Sequence, residues 1–215
     1  MRNVITSAVI LGLFALVGTS LVAFTHDATR DRIATIERED LVRNLHRIVP
    51  EDQHDNDLLA DTIQVTAPDA LGTTAPVTVY RARKDGAPVA VVLSPVAPDG
   101  YSGNIRLLVG IYQDGTLAGV RVTSHRETPG LGDPIEETRS DWILKFTGLS
   151  LENPAEEQWK VKKDGGVFDQ FTGATITPRA VVKAVRKTLI YFRQHKDELF
   201  APQALAGVDD STQRR

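Results

Sequence analysis

From Val4 to Phe24 the chain reads VITSAVILGLFALVGTSLVAF, without one charged residue. About 20 helical residues, each advancing about 1.5 Å, cross the hydrocarbon core of a bilayer, so this run reads as a transmembrane helix. A cleaved secretory signal would carry an apolar stretch of about 7 to 15 residues followed by a small-residue A-x-A site. Here the stretch is longer and no clear A-x-A site follows it, which favours an uncleaved anchor. Arg2 and the amino terminus stand against Arg30 and Arg32, which Asp27 and Asp31 offset, so counting charges leaves the orientation open.

Beyond the anchor, a chain of 215 residues with 41% hydrophobic content has room for one domain of ordinary size. A net charge of −3 and a pI near 6.0 leave no basic footprint for nucleic acid. Cysteine is absent, which excludes disulfides, thiolate-bound zinc, iron–sulfur clusters and a cysteine nucleophile. Any redox chemistry in this chain therefore needs an added cofactor.

Ile33, Ile36, Leu41, Leu45 and Ile48 recur at near-helical spacing among charges until Pro50, which predicts a helix continuing out of the membrane. The acidic stretch EDQHDNDLLAD reads as a linker, and His46 and His54 alone do not make a metal site. Two similar hairpins follow. VTVYRAR and VAVVLSP flank Asp85-Gly86, and IRLLVGIY and LAGVRVTS flank Asp114-Gly115. Asp-Gly between β-rich runs is the strongest short hairpin signal, so four antiparallel strands are expected.

Asp133-Pro134-Ile135-Glu136 then places an N-cap, a proline at N1 and a glutamate at N3 ahead of a helix expected to reach about Thr147, with Trp142, Ile143 and Phe146 facing the core. A last helix is predicted from the Thr177 cap and Pro178, with Val181, Val185, Leu189 and Phe192 along one stripe to about His195. Strand pairs mixed with helices outside a βαβ alternation give an α+β fold. The expected organisation is an anchor over residues 1–26, a juxtamembrane helix and linker over 27–60, one domain over 61–200, and a polar, disordered tail over 201–215.

Asp169-Gln170-Phe171-Thr172-Gly173-Ala174-Thr175-Ile176-Thr177-Pro178 leads from an expected strand into that last helix. Free N–H groups and the positive end of a helix dipole favour an anion there, and small residues let the backbone approach it. An ordinary capping loop fits the same residues. His125-Arg126-Glu127-Thr128-Pro129-Gly130-Leu131-Gly132 reads on its own as a proline–glycine turn linking strand to helix.

Asp169-x-x-Thr172-Gly173-Ala174-Thr175 resembles, without departure, the D-x-x-[ST]-G-A-T flavinylation motif of FMN-binding domains. In that family a magnesium-dependent flavin transferase moves FMN from FAD onto the last threonine. The resemblance thus implies a covalent threonyl phosphoester of FMN on Thr175, with Thr172, Gly173, Ala174 and Thr177 around it. The second block resembles the H-x-E-T-P-G-L-G segment of the same domains, which implies that Glu127, Thr128, Gly130, Leu131 and Gly132 line the flavin pocket. Tyr101-Ser102-Gly103 with Ile105 matches a Y-S-G-x-I feature of the family that reads as a turn.

One N-terminal span, one flavinylated domain and this length resemble the RnfG family, the G subunits of Rnf electron-transport complexes, and their relatives, the C subunits of the sodium-pumping NADH:quinone reductase. That resemblance implies an electron-relay role in a bacterial inner membrane, a periplasmic domain, and the other Rnf membrane subunits as partners. A flavinylated subunit of the quinone reductase or of another extracytoplasmic reductase is the redox alternative. A membrane-anchored binding domain without redox function is the other. No G-x-S-x-G elbow, Walker A loop or G-x-G-x-x-G fingerprint is present, so hydrolase, phosphotransferase and direct NADH-binding readings lack a motif.

Overall fold

A computed structural model describes residues 2–201 of the chain. The expected tail lies, apart from Ala201, outside the described residues. The described residues divide into two compact units, with the boundary between Leu41 and Val42. Helix α1 (Arg2–Ile48) accounts for the first and supplies its last turns to the second. Its most apolar 18 residues have a mean hydropathy of 2.2 and none is buried, as a helix built to face lipid requires. Leu45, Ile48, Val49 and Leu58 are all buried, so the folded unit begins upstream of Asp61 and takes in much of the stretch read as a linker.

The second unit is built on one antiparallel sheet of six strands. They are β1 (Thr62–Val65), β2 (Val77–Lys84), β3 (Ala87–Leu93), β4 (Val96–Ala97), β5 (Ile105–Tyr112) and β6 (Leu117–Ser124). β1 pairs with β2 and β2 with β3. β3 and β4 then meet β5 at Val109–Tyr112 and Ile105–Arg106 respectively, while β6 pairs along β5 from Arg106 to Ile111.

Both Asp-Gly sites form the expected hairpins. Asp85 (φ 53°) and Gly86 (φ 76°) both adopt the left-handed conformation that a two-residue turn demands. Gly115 (φ 93°) supplies it in the longer β5–β6 turn. β1 and β4 are additions to the four expected strands.

One face of the sheet carries the main core. Val79, Val91, Leu93, Leu107, Val109 and Ile111 pack in one cluster with Val181, Val185, Leu189 and Phe192 of helix α3 (Ile176–Phe200). Burial of each such side chain stabilises by about 1.5–3 kcal/mol. Against Gly110 lies the end of α1. An added Cβ on Gly110 would lie 2.1 Å from Ile48 Cγ2, so only glycine admits this approach.

Both expected helices of the domain change. Instead of one helix from Asp133 to Thr147, there are two short 3-10 turns, Asp133–Ile135 and Ile143–Phe146. Glu136 to Asp141 contains no apolar residue, so a helix there would have no face to bury. Ser140 interrupts it further, donating to the Pro134 carbonyl at 2.6 Å and accepting from the Trp142 N–H at 3.2 Å. Trp142, Ile143 and Phe146 are nonetheless buried as expected. α3 itself passes an irregularity at His195 (φ −121°) and continues to Phe200, because Leu199 and Phe200 are buried.

The far end of α3 is held from β2. Arg81 and Arg83 lie two residues apart on one strand face and both bond Asp61, Arg81 Nε to Oδ1 at 2.6 Å and Arg83 Nε to Oδ2 at 2.8 Å. Their remaining N–H groups reach the carbonyls of Ala201 and Phe200. Carbonyls left without intrahelical donors are thereby satisfied by charged ones.

Candidate functional site

Three loops meet at the N-terminus of α3, opposite the end held by Arg81. The loop from Phe171 to Thr175 turns at Gly173, which has φ 81° and so needs glycine. Its two ends close on each other, with the Ala174 N–H bonding the Phe171 carbonyl at 3.1 Å. The stretch before it is not a strand; Val161 and Phe168 share a single bridge. The loop after β6, from His125 to Gly132, folds over the same point. Leu131 Cδ2 lies 3.5 Å from where a Cβ on Gly173 would be, so the two motif loops are in contact. The loop before β5 brings Tyr101 to the third side.

Between them lies a cavity of about 350 Å³, within the range that holds small ligands. It is lined by Glu127, Thr128, Leu131 and Gly132 from one loop, by Gly173, Ala174 and Thr175 with Ile176 and Thr177 from the next, and by Tyr101. Eight of the residues singled out in sequence therefore come together. Gly130, Thr172 and Asp169 do not line it. The Gly130 N–H bonds Asp133 Oδ1 at 2.7 Å, and Thr172 is exposed outside the cavity.

Asp169 faces away, with Lys162 at 2.5 Å and Lys145 at 3.1 Å. Those two hydrogen-bonding lysines, Lys162 first, hold its carboxyl below the usual carboxylate range. Its carbonyl accepts from Trp142 Nε1 at 2.8 Å, which fixes the start of the motif to the aromatic core.

The three threonines of the motif differ in what their hydroxyls do. Thr177 is buried and donates to Glu127 Oε2 instead of capping the helix. Thr177 lies inside the first turn of α3, past the N-cap position, so the expected Thr177 cap is not formed. The helix starts earlier, with Thr175 in the N-cap position, and Thr175 makes no side-chain capping bond. Of the three, Thr175 alone combines a place on the cavity wall with a hydroxyl not engaged in capping or in Glu127. The N–H groups of Ile176 and Thr177, in the first turn, have no intrahelical acceptor to reach. Among the described residues no lysine or arginine lines the cavity, so a phosphoryl group on Thr175 would be met by backbone N–H groups and the helix dipole.

The rim is apolar. Outside α1, the described residues include four exposed large apolar side chains, Tyr101, Leu131, Val167 and Ile176, and three of them line this cavity. Such a rim suits a planar aromatic ring, which Tyr101 can stack against. Sequence reasoning had not placed Ile176 here. Its signal was an apolar residue at a helix start, off the stripe of Val181 and Val185.

Glu127 ties the loops together. It is 4% exposed, and its carboxylate accepts from the Ser102 N–H at 2.9 Å and the Tyr101 N–H at 3.2 Å in addition to Thr177. His125 sets the loop from behind. Its Nδ1 accepts from the Glu127 N–H at 3.0 Å, which leaves the ring proton on Nε2 to be donated to Glu136 Oε1 at 2.6 Å. His125 lines a neighbouring cavity with Arg121 and Glu137, not this one.

Comparison with known proteins agrees with this geometry. Residues 100–190, which contain all three loops, match the family "FMN-binding domain". Residues 1–48 match "RnfG N-terminal region". The chain is 46% identical to the G subunit of the ion-translocating oxidoreductase complex of Shewanella piezotolerans, over 97% of this chain and 99% of that protein. It is 51% identical to the protein of the same name from Pseudomonas aeruginosa, over 96% of each chain, and 50% identical to that of Shewanella amazonensis over 93% of each. The matched stretch spans the apolar helix, the sheet and the cavity alike, and the chain belongs to the family of G subunits of ion-translocating oxidoreductase complexes.

Proposed function

We propose that this chain is the electron-relay subunit of an Rnf complex and carries FMN as a phosphoester on Thr175. The observation that carries the attachment site is the division of labour among the threonines. Thr177 is committed to Glu127, Thr172 lies outside the cavity, and Thr175 stands uncapped on the cavity wall at a helix N-terminus.

Attachment needs a nucleophilic oxygen and an activated phosphate. The Thr175 hydroxyl forms a bond to the FMN phosphorus of FAD, the pyrophosphate bridge breaks, and AMP leaves; the hydroxyl proton passes to a base on a magnesium-dependent flavin transferase. The product phosphodiester would lie where the first-turn N–H groups and the helix dipole favour a negative charge. Tyr101, Leu131 and Ile176, which line the cavity, would flank the isoalloxazine ring. When bound, the flavin takes up and releases electrons; the protein supplies position and electrostatic surroundings.

The rest of the chain fits a relay. One apolar helix anchors it in the bacterial inner membrane, with the domain in the periplasm and the other membrane subunits of the complex as electron donor and acceptor. Covalent attachment keeps the flavin in place where free flavin is scarce. No dinucleotide fingerprint is present to orient a nicotinamide, so electrons arrive through a neighbouring protein of the complex.

The test is purification of the full chain from a host that makes the transferase, followed by denaturation and washing. Yellow colour is retained by the native chain and lost in Thr175→Val. Covalent flavin in that variant would move the attachment to another residue, and mixing the flavinylated chain alone with NADH tests the relay. Fast, saturable reduction would make it a dehydrogenase instead.

A further inference from the structure

Glu127 occupies an unusual position for an acid. It is 4% exposed, and the donors that meet its carboxylate are neutral: the N–H groups of Tyr101 and Ser102 and the hydroxyl of Thr177. Burying a carboxylate is costly unless its lone pairs are satisfied, and hydrogen bonds to a charged acceptor are the stronger kind. The backbone also leaves room for it. A Cβ on Gly100 would lie 2.9 Å from Glu127 Oε1, and one on Gly132 would lie 2.8 Å from Glu127 Cβ.

What the carboxylate joins matters more than its burial. On one side it holds the loop of Tyr101, the one aromatic residue lining the cavity among the described residues. On the other it holds Thr177, two residues from Thr175 in the first turn of α3. These two walls are far apart in sequence, and Glu127 bonds to both.

We propose that Glu127 is a positioning residue, which sets the Tyr101 wall of the cavity against the Thr175 wall before a flavin is attached. This rests on the flavin reading of the cavity for its consequence, which is that the ring of the attached flavin lies against Tyr101. The loop geometry itself does not depend on that reading. Removing the carboxylate strands three donors together and frees the Tyr101 loop, whereas the amide of Glu127→Gln can still accept at its oxygen and donate to the Thr177 hydroxyl.

The experiment uses the full chain in detergent, as wild type, Glu127→Ala, Glu127→Gln and, as a control outside the cavity, Val167→Ala. Amide hydrogen exchange is first followed in the flavin-free protein. Glu127→Ala is expected to speed exchange at Tyr101 and Ser102 by roughly tenfold or more, Glu127→Gln by roughly threefold, and Val167→Ala not at all. After treatment with FAD, magnesium and the transferase, flavin fluorescence is compared, since a tyrosine stacked on the ring quenches it. Glu127→Ala is expected to fluoresce more strongly per flavin and Val167→Ala to match wild type. Unchanged exchange at Tyr101 and Ser102 in Glu127→Ala overturns the proposal, as does unchanged fluorescence. Should Glu127→Ala not fold, Glu127→Gln decides by the same two measurements. A wild-type chain that takes no covalent flavin refutes the function reading, while the exchange rates still decide whether Glu127 holds the loops.

Discussion

Gly132→Ala probes the packing around the Glu127 carboxylate with a single methyl group. The new Cβ would sit 2.8 Å from Glu127 Cβ, 2.9 Å from Thr177 Oγ1 and 3.2 Å from Glu127 Oε2. Gly132 has φ −98°, a conformation open to alanine, so the penalty is steric and not backbone strain. Overpacking of this kind costs about 1–3 kcal/mol. For a domain of this size, each kcal/mol lowers Tm by about 2–4 °C, so a loss of about 2 kcal/mol appears as about 4–8 °C.

Gly119→Ala is the matched control. Its added Cβ would find its nearest atoms at 3.6–3.8 Å, ordinary contact distances, and should change stability by less than about 0.5 kcal/mol. The assay is thermal unfolding of both variants in detergent by near-ultraviolet circular dichroism. Equal Tm values for the two variants would refute the reasoning, because it would mean that the Glu127–Thr177 contact yields freely.

Thr175→Val and Thr172→Val should both unfold within about 0.5 kcal/mol of wild type, since neither site is buried, and only the former should lose covalent flavin in a washed, denatured sample. Asp61→Asn should cost about 3–5 kcal/mol in chemical denaturation, because it leaves the 2%-exposed Arg81 without its counter-charge and loosens the end of α3. Lys162 and Lys145 depress the Asp169 pKa in the folded chain, so their contribution is present above the unfolded-state pKa and is lost as pH falls through the folded one. Carboxyl carbon NMR should show Asp169 titrating at higher pH in the double variant Lys145→Met, Lys162→Met than in wild type.

Features written in short stretches were the legible ones. Asp85-Gly86 and Asp114-Gly115 announced their hairpins because turn geometry is a local property. The stripe of Val181, Val185, Leu189 and Phe192 announced α3 for the same reason. Local signals also misled. Asp133-Pro134-Ile135-Glu136 is a good start for a helix, yet the residues after it offer nothing to bury, and packing overrode the cap. β1, a strand of only Thr62–Val65, and the two-residue β4 take their identity from their partners and were invisible alone. At the site, the motifs named most of the cavity wall. The bond from Thr177 to Glu127 joins residues 50 positions apart and could be seen only in three dimensions.

The central claim is the bond between FMN and Thr175, and peptide mass mapping tests it most directly. The chain is purified from membranes of a host with the transferase, denatured, washed free of unbound flavin and digested. The account predicts that the peptide containing Thr175 is heavier by one FMN less one water, with fragmentation placing the addition on Thr175 itself. An unmodified Thr175 peptide, or the same added mass on Thr172 or Thr177, would contradict it.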